Sequence, residues 1–296
     1  VDHHYDEFGL LHENAHEVGL GAPDGVRVER VSVEVAPGRR LSAIRWGEGA
    51  PEMVLLHGGA QNAHTWDTVA LALDRPLVAI DLPGHGHSDW REDRAYWPAE
   101  NAHAVAAAVA ELAPDARAVT GMSLGGLTAL SLAHEYPHLV AELVLVDITP
   151  GVTRDKASAI TSFVNGPESF GSFEELLERT ILFNPTRSES SLRRGVLHNA
   201  APRADGTWAW RYDRNHLPDG AEIPDFGSMW DAVEAIEVRV TLLRGADSPV
   251  VDDADVAELL RRRPDAEVIV VDGAGHSIQG DRPVELATHL AAILDR

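Results

Sequence analysis

The chain has 296 residues, 44% of them hydrophobic, with no cysteine and a formal net charge of −22. The apolar share suffices for a large core, yet no run approaches the roughly 18 unbroken apolar residues of a membrane-spanning segment. The acidic surplus argues against nucleic acid or an anionic membrane as partner. Zero cysteine excludes disulfides, a thiol nucleophile and thiolate metal sites. No charged-then-apolar leader opens the sequence, so a cytoplasmic location is expected.

Residues 6–18 place Phe8, Leu11, Ala15 and Val18 on one face, which predicts a short amphipathic helix. Residues 26–35 and 39–46 alternate apolar with polar around Pro37-Gly38 and predict an antiparallel hairpin. A buried strand at 53–56 runs into His57-Gly58-Gly59-Ala60. A second, at 77–80, runs into Asp81-Leu82-Pro83-Gly84-His85-Gly86-His87-Ser88-Asp89. A helix at 99–112, a strand at 116–120, a helix at 124–136 and a strand at 139–146, ending at Asp147, continue the alternation. Such an order predicts an α/β fold, a mostly parallel sheet with helices on both faces.

Residues 151–235 break the rhythm. Helices are expected at 154–164, 173–183 and 188–198, separated by Gly166-Pro167 and Asn184-Pro185, and Trp208, Trp210 and Tyr212 alternate as in a strand. This stretch reads as a helical cap inserted over the C-terminal edge of the sheet. Its Phe163, Phe170, Phe173, Phe183, Trp208, Trp210 and Trp230 would form its own core and part of an acyl pocket. The alternation resumes with a strand at 238–244, a helix at 252–263, a strand at 267–271 and a helix at 281–294. The expected core is therefore 1–150 with 236–296, and 151–235 is the cap.

Chemistry concentrates at Gly121-Met122-Ser123-Leu124-Gly125-Gly126, between a predicted strand and a predicted helix. Glycines flanking a serine in that setting describe a nucleophile elbow, a turn too tight for side chains on either flank. It exposes the Ser123 hydroxyl at a helix N-terminus, where N–H groups favour developing negative charge. A serine attacks a carbonyl only if a base takes its proton. His276 follows a strand within Gly273-Ala274-Gly275-His276 and is the candidate base among 15 histidines. Leu124, next after the nucleophile, and Gly59, in the first glycine loop, are the expected oxyanion-hole donors. His57, His64, His85 and His87 lie on two glycine-rich loops without a matched carboxylate motif, so no metal is expected.

From about residue 30 onward these motifs, with Leu143-Val144-Leu145-Val146-Asp147, resemble the α/β-hydrolase superfamily. Gln61-Asn62-Ala63-His64-Thr65-Trp66-Asp67 and Leu192-Arg193-Arg194-Gly195-Val196 add a closer resemblance to small, mycobacterial-type actinobacterial carboxylesterases. The resemblance implies hydrolysis of short to medium acyl esters by a serine catalytic triad, with a small-molecule substrate and no cofactor. Most members of the superfamily carry the triad acid three residues after the Gly that closes the penultimate strand. Here that Gly is Gly245 and the third residue on is Ser248, with Asp247 one place early. A minority use the carboxylate that ends the strand after the elbow, here Asp147. The resemblance thus points to Asp147, with Asp247 as the alternative. A thioesterase, lactonase or C–C bond hydrolase would use the same machinery, and a ligand-binding protein without turnover would share the fold. Oligomeric state is not readable.

Overall fold

The computed structural model describes residues 5–185, 187–214 and 226–296. Residues 215–225 of the expected insertion, and the first four of the chain, lie outside the described residues. Helix α1 (Leu11–Glu17) precedes the hairpin of β1 (Val28–Ala36) and β2 (Arg39–Trp46). Gly38 turns that hairpin with a φ of 70°, a conformation that glycine adopts at little cost. Next come β3 (Met53–Leu56), α2 (Asp67–Leu73), β4 (Leu77–Ile80), α3 (Pro98–Leu112), β5 (Ala118–Met122), α4 (Leu124–Glu135) and β6 (Glu142–Val146). A 3₁₀ turn, Ala63–Trp66, leads into α2.

The chain continues with α5 (Ser158–Val164), β7 (Ser169–Phe170), α6 (Phe173–Phe183), α7 (Glu189–Asn199), β8 (Ala200–Pro202) and β9 (Trp208–Trp210). It closes with α8 (Trp230–Ala235), β10 (Arg239–Gly245), α9 (Asp253–Arg262), β11 (Glu267–Val271), α10 (Ile278–Asp281) and α11 (Pro283–Leu294). The one-turn α10 was not expected. Its four residues are too few for helical periodicity to register.

Eight strands form one sheet in the order β1-β2-β4-β3-β5-β6-β10-β11. β2 is antiparallel to both its neighbours, and the strands from β4 through β11 run parallel. β3 and β4 are buried at every position, as strands covered on both faces must be. Their alternate side chains feed two cores. Val54 and Leu56 belong to one core with Val109 of α3, Leu130 of α4, Val233 of α8 and Leu259 of α9. Met53 and Leu55 face Leu11 of α1, Val69 of α2 and Leu290 of α11. Each fully buried Leu or Val stabilises the fold by roughly 1.5–3 kcal/mol relative to exposure.

β7, β9 and β8 make a separate three-stranded sheet. Around it Phe170, Phe173, Leu176, Val196, Trp210 and Tyr212 bury one another together with Ala60, which belongs to the loop after β3. Trp210 is the hub, with Phe163 at 5.6 Å, Phe170 at 6.0 Å and Tyr212 at 5.6 Å between ring centroids. Trp230 belongs elsewhere: it packs in the main core, with the Arg262 guanidinium 5.9 Å from its ring.

Candidate active site

The elbow is built around its glycines. A side chain on Gly121 would put Cβ 2.2 Å from the Gly125 carbonyl oxygen, and one on Gly125 would lie 2.4 Å from that of Leu56. Strand β5 and helix α4 can therefore meet only through hydrogen at these positions. Ser123 between them takes φ 51° and ψ −120°, strain that persists only where the surroundings enforce it. Its carbonyl accepts from Gly126 N–H at 2.9 Å and Leu127 N–H at 3.1 Å, which fixes the first turn of α4.

Strands β5, β6, β10 and β11 are consecutive in the sheet. Ser123, Asp147, Ser248 and His276 consequently leave the same edge, one beyond each strand. Asp147 is fully buried, and its carboxylate has three donors. Gly245 N–H reaches Oδ1 at 2.9 Å, His276 Nδ1–H reaches Oδ2 at 2.8 Å, and the Ser248 hydroxyl also donates to Oδ2. An ionised carboxylate only accepts, so His276 carries its proton on Nδ1 and its lone pair on Nε2. That Nε2 is buried and makes no hydrogen bond among the described residues.

Ser248 thus touches the carboxylate rather than the imidazole ring. Asp247 is exposed, and its described bond is through the backbone, N–H to the Ala274 carbonyl at 2.9 Å. The histidine loop needs its own close approach, since a Cβ on Gly245 would lie 2.3 Å from the Gly275 carbonyl oxygen.

The loop after β3 packs directly on the elbow: a Cβ on Gly58 would lie 3.3 Å from that of Ser123. Gly58 N–H is taken by Gln61 Oε1 at 3.1 Å, and Ala60 N–H by His85 Nε2 at 3.1 Å. The N–H of Gly59, between them, is committed to neither. His57 accepts from Leu82 N–H at 2.9 Å and donates to the Gly58 carbonyl at 2.7 Å. Burial drives its pKa down to about 3, helped by neighbouring His85, so it stays a neutral brace. His85 is held below its ordinary pKa by burial as well. Asp81 gathers Ala63 N–H, His87 N–H and Arg30, fixing both glycine loops to the hairpin.

Asn199 and Asp213, within the stretch expected to form the cap, reach these loops. Asn199, ending α7, donates to the Ala60 carbonyl at 2.6 Å and accepts from Asn62 Nδ2 at 3.2 Å. Asp213 accepts from the Tyr96 hydroxyl at 2.7 Å, and its N–H donates to the Gly84 carbonyl at 2.7 Å. Asn199 sits in no motif and no sequence signal marks it, whereas Ser248 is marked by standing where most superfamily members carry the triad acid. A charged depression of about 420 Å³, lined by Arg117, Glu142, Arg239 and Arg296, opens at the other end of the strands. It contains none of the candidate residues.

A strained serine on a strand–helix elbow, a histidine and a buried carboxylate along one edge of a parallel sheet define a class. Residues 53–289 match the Alpha/beta hydrolase family, and the chain belongs to it. Over 98% of its length it is 46% identical to esterase Rv0045c of Mycobacterium tuberculosis, covering 96% of that protein. A solved structure of that esterase, from work on its transition metal inhibition and structural refinement, superposes with a TM-score of 0.88. It is 45% identical and covers 99% of this chain and 100% of its own. The sn-1-specific diacylglycerol lipase ABHD11 of Xenopus laevis is 30% identical over 78% of this chain and 76% of its own.

Proposed function

We propose that the protein is a serine carboxylesterase that cleaves short to medium acyl esters through an acyl-enzyme. The observation that carries this reading is the 2.8 Å bond from His276 Nδ1 to buried Asp147, one strand from the strained Ser123. His276 Nε2 takes the Ser123 proton as Oγ attacks the ester carbonyl. The N–H groups of Gly59 and Leu124 receive the oxyanion, each donor contributing about 3 kcal/mol to the transition state. Collapse expels the alcohol, which takes the proton from His276. Water, deprotonated by the same nitrogen, then attacks the acyl-Ser123 ester and releases the acid. Asp147 holds the Nδ1 tautomer and offsets the imidazolium charge throughout.

Kinship to a named esterase favours oxygen esters over thioesters, lactones or carbon–carbon bonds. The aromatic core of the insertion, which takes in Ala60 beside Gly59, supports an apolar acyl subsite of limited length. A series of p-nitrophenyl esters and matched thioesters running from short to long acyl chains tests the reading. The expected result is a kcat/KM maximum for an oxygen ester at short or medium length, abolished in Ser123→Ala. Thioester preference, or tight binding without turnover, would replace it with one of the other readings.

A further inference from the structure

We infer that His64, Asp67 and His198 form a site for one divalent transition-metal ion of the zinc type, separate from the proposed catalytic centre. The three offer ligand atoms that all lie within 4.8 Å of one another, and all three are buried. Asp67 Oδ2 stands 2.9 Å from His64 Nδ1 and 3.8 Å from His198 Nε2. Tetrahedral zinc, with bonds of about 2.0–2.1 Å, sets its ligand atoms about 3.3 Å apart. The two carboxylate spacings lie within about 0.5 Å of that value. Because the two rings stack at 3.7 Å with their planes 13° apart, ligation requires one ring to tilt out of the stack so that both lone pairs reach the ion.

Two buried atoms of this cluster, His198 Nε2 and Asp67 Oδ1, have no hydrogen-bond partner among the described residues. Orphaned polar atoms in a protein interior are costly, and an ion bound here would give both a partner. The outer contacts suit ligation. Glu7 Oε1 lies 3.1 Å from His64 Nε2, and the Tyr5 hydroxyl lies 3.0 Å from His198 Nδ1. Each ring therefore spends its far nitrogen on an oxygen partner and turns the near one toward Asp67, the arrangement that orients metal-bound imidazoles. Binding displaces the Nδ1 proton of His64, as ligation of an imidazole requires.

Glu7 and Asp81 are both paired by Arg30, whose Nη2 also stands 3.3 Å from His64 Nε2, and Asp67 is the carboxylate that faces both rings. The sequence grouped His64 with His57, His85 and His87. In the fold the last three serve the glycine loops, while His64 stacks on His198 of α7 at 3.7 Å between centroids. Because His198 comes from the insertion and His64 and Asp67 from the segment entering α2, an ion here would staple one to the other.

The test titrates the full, untagged chain with Zn²⁺ alone by calorimetry, and repeats it with His198→Phe, which keeps a stacking ring but deletes the nitrogen ligands. Wild type is expected to bind one Zn²⁺ per chain, with affinity at least about 100-fold weaker in His198→Phe. Tyr5→Phe, which leaves all three ligands, should weaken binding about 10–100-fold. No binding by wild type, or equal binding by wild type and a folded His198→Phe, overturns the inference. Zinc anomalous scattering from wild-type crystals decides independently of variant folding: a peak among the three residues supports the site, and a peak only elsewhere overturns it.

Discussion

Asp147 holds φ at 51° at the end of β6, a left-handed conformation that aspartate tolerates better than most residues. That turn sends its carboxylate sideways, across the end of β10, where Gly245 N–H, Ser248 and His276 converge on it. Asp247, on the neighbouring turn, is exposed. We therefore expect Asp147→Asn to lower kcat by something approaching 10⁴-fold, the loss seen when a triad aspartate is amidated in proteases. Asp247→Asn should stay within about threefold, as exposed substitutions usually do. Steady-state kinetics on both variants, with circular dichroism to verify folding, decide the matter, and the reverse ranking would reassign the acid. The carboxylate could not be chosen from spacing alone because two aspartates end adjacent strands. What separates them is a backbone angle and three donors, none of which is written in a motif.

Among elements, the strand–elbow–helix unit was the most legible, since hydrophobic runs at 53–56 and 77–80 and paired glycines have few other meanings. The boundaries that moved did so for local reasons: the strand expected at 139–146 begins only at Glu142, because Pro137–Leu139 forms a 3₁₀ turn first. How α7 meets the glycine loop was not legible. Asn199 and Asn62 are ordinary polar residues until the fold sets them against Ala60. Asn199→Ala removes that tie and should loosen the segment carrying Gly59. A buried hydrogen bond of this kind contributes about 0.5–1.5 kcal/mol to stability, so a melting-temperature fall of a few degrees is expected, together with a fall in kcat/KM as Gly59 loses its support. A stability loss with unchanged kcat/KM would make Asn199 a structural strut and nothing more.

At the scale of the whole molecule, a net charge of −22 coexists with His57 and His85, which burial keeps neutral. His57, whose pKa burial lowers to about 3, binds no proton in the folded state where the unfolded chain would. Its contribution is complete above about pH 6.5 and is lost as pH falls toward 3, at up to about 1.4 kcal/mol per unit. Melting temperatures should show no pH-dependent change from His57 above about pH 6.5 and should fall as pH drops below it, less steeply in His57→Gln. Identical slopes would remove His57 from the acid response. No helix among the described residues is long and apolar enough to cross a membrane, and the chemistry proposed gathers at one edge of one sheet. That chemistry stands or falls on a covalent bond to a single hydroxyl. Mass spectrometry after reaction with an alkyl phosphonate should find one adduct, on the peptide bearing Ser123, and none there in Ser123→Ala. An adduct on any other residue, with ester turnover surviving in Ser123→Ala, would contradict the assignment.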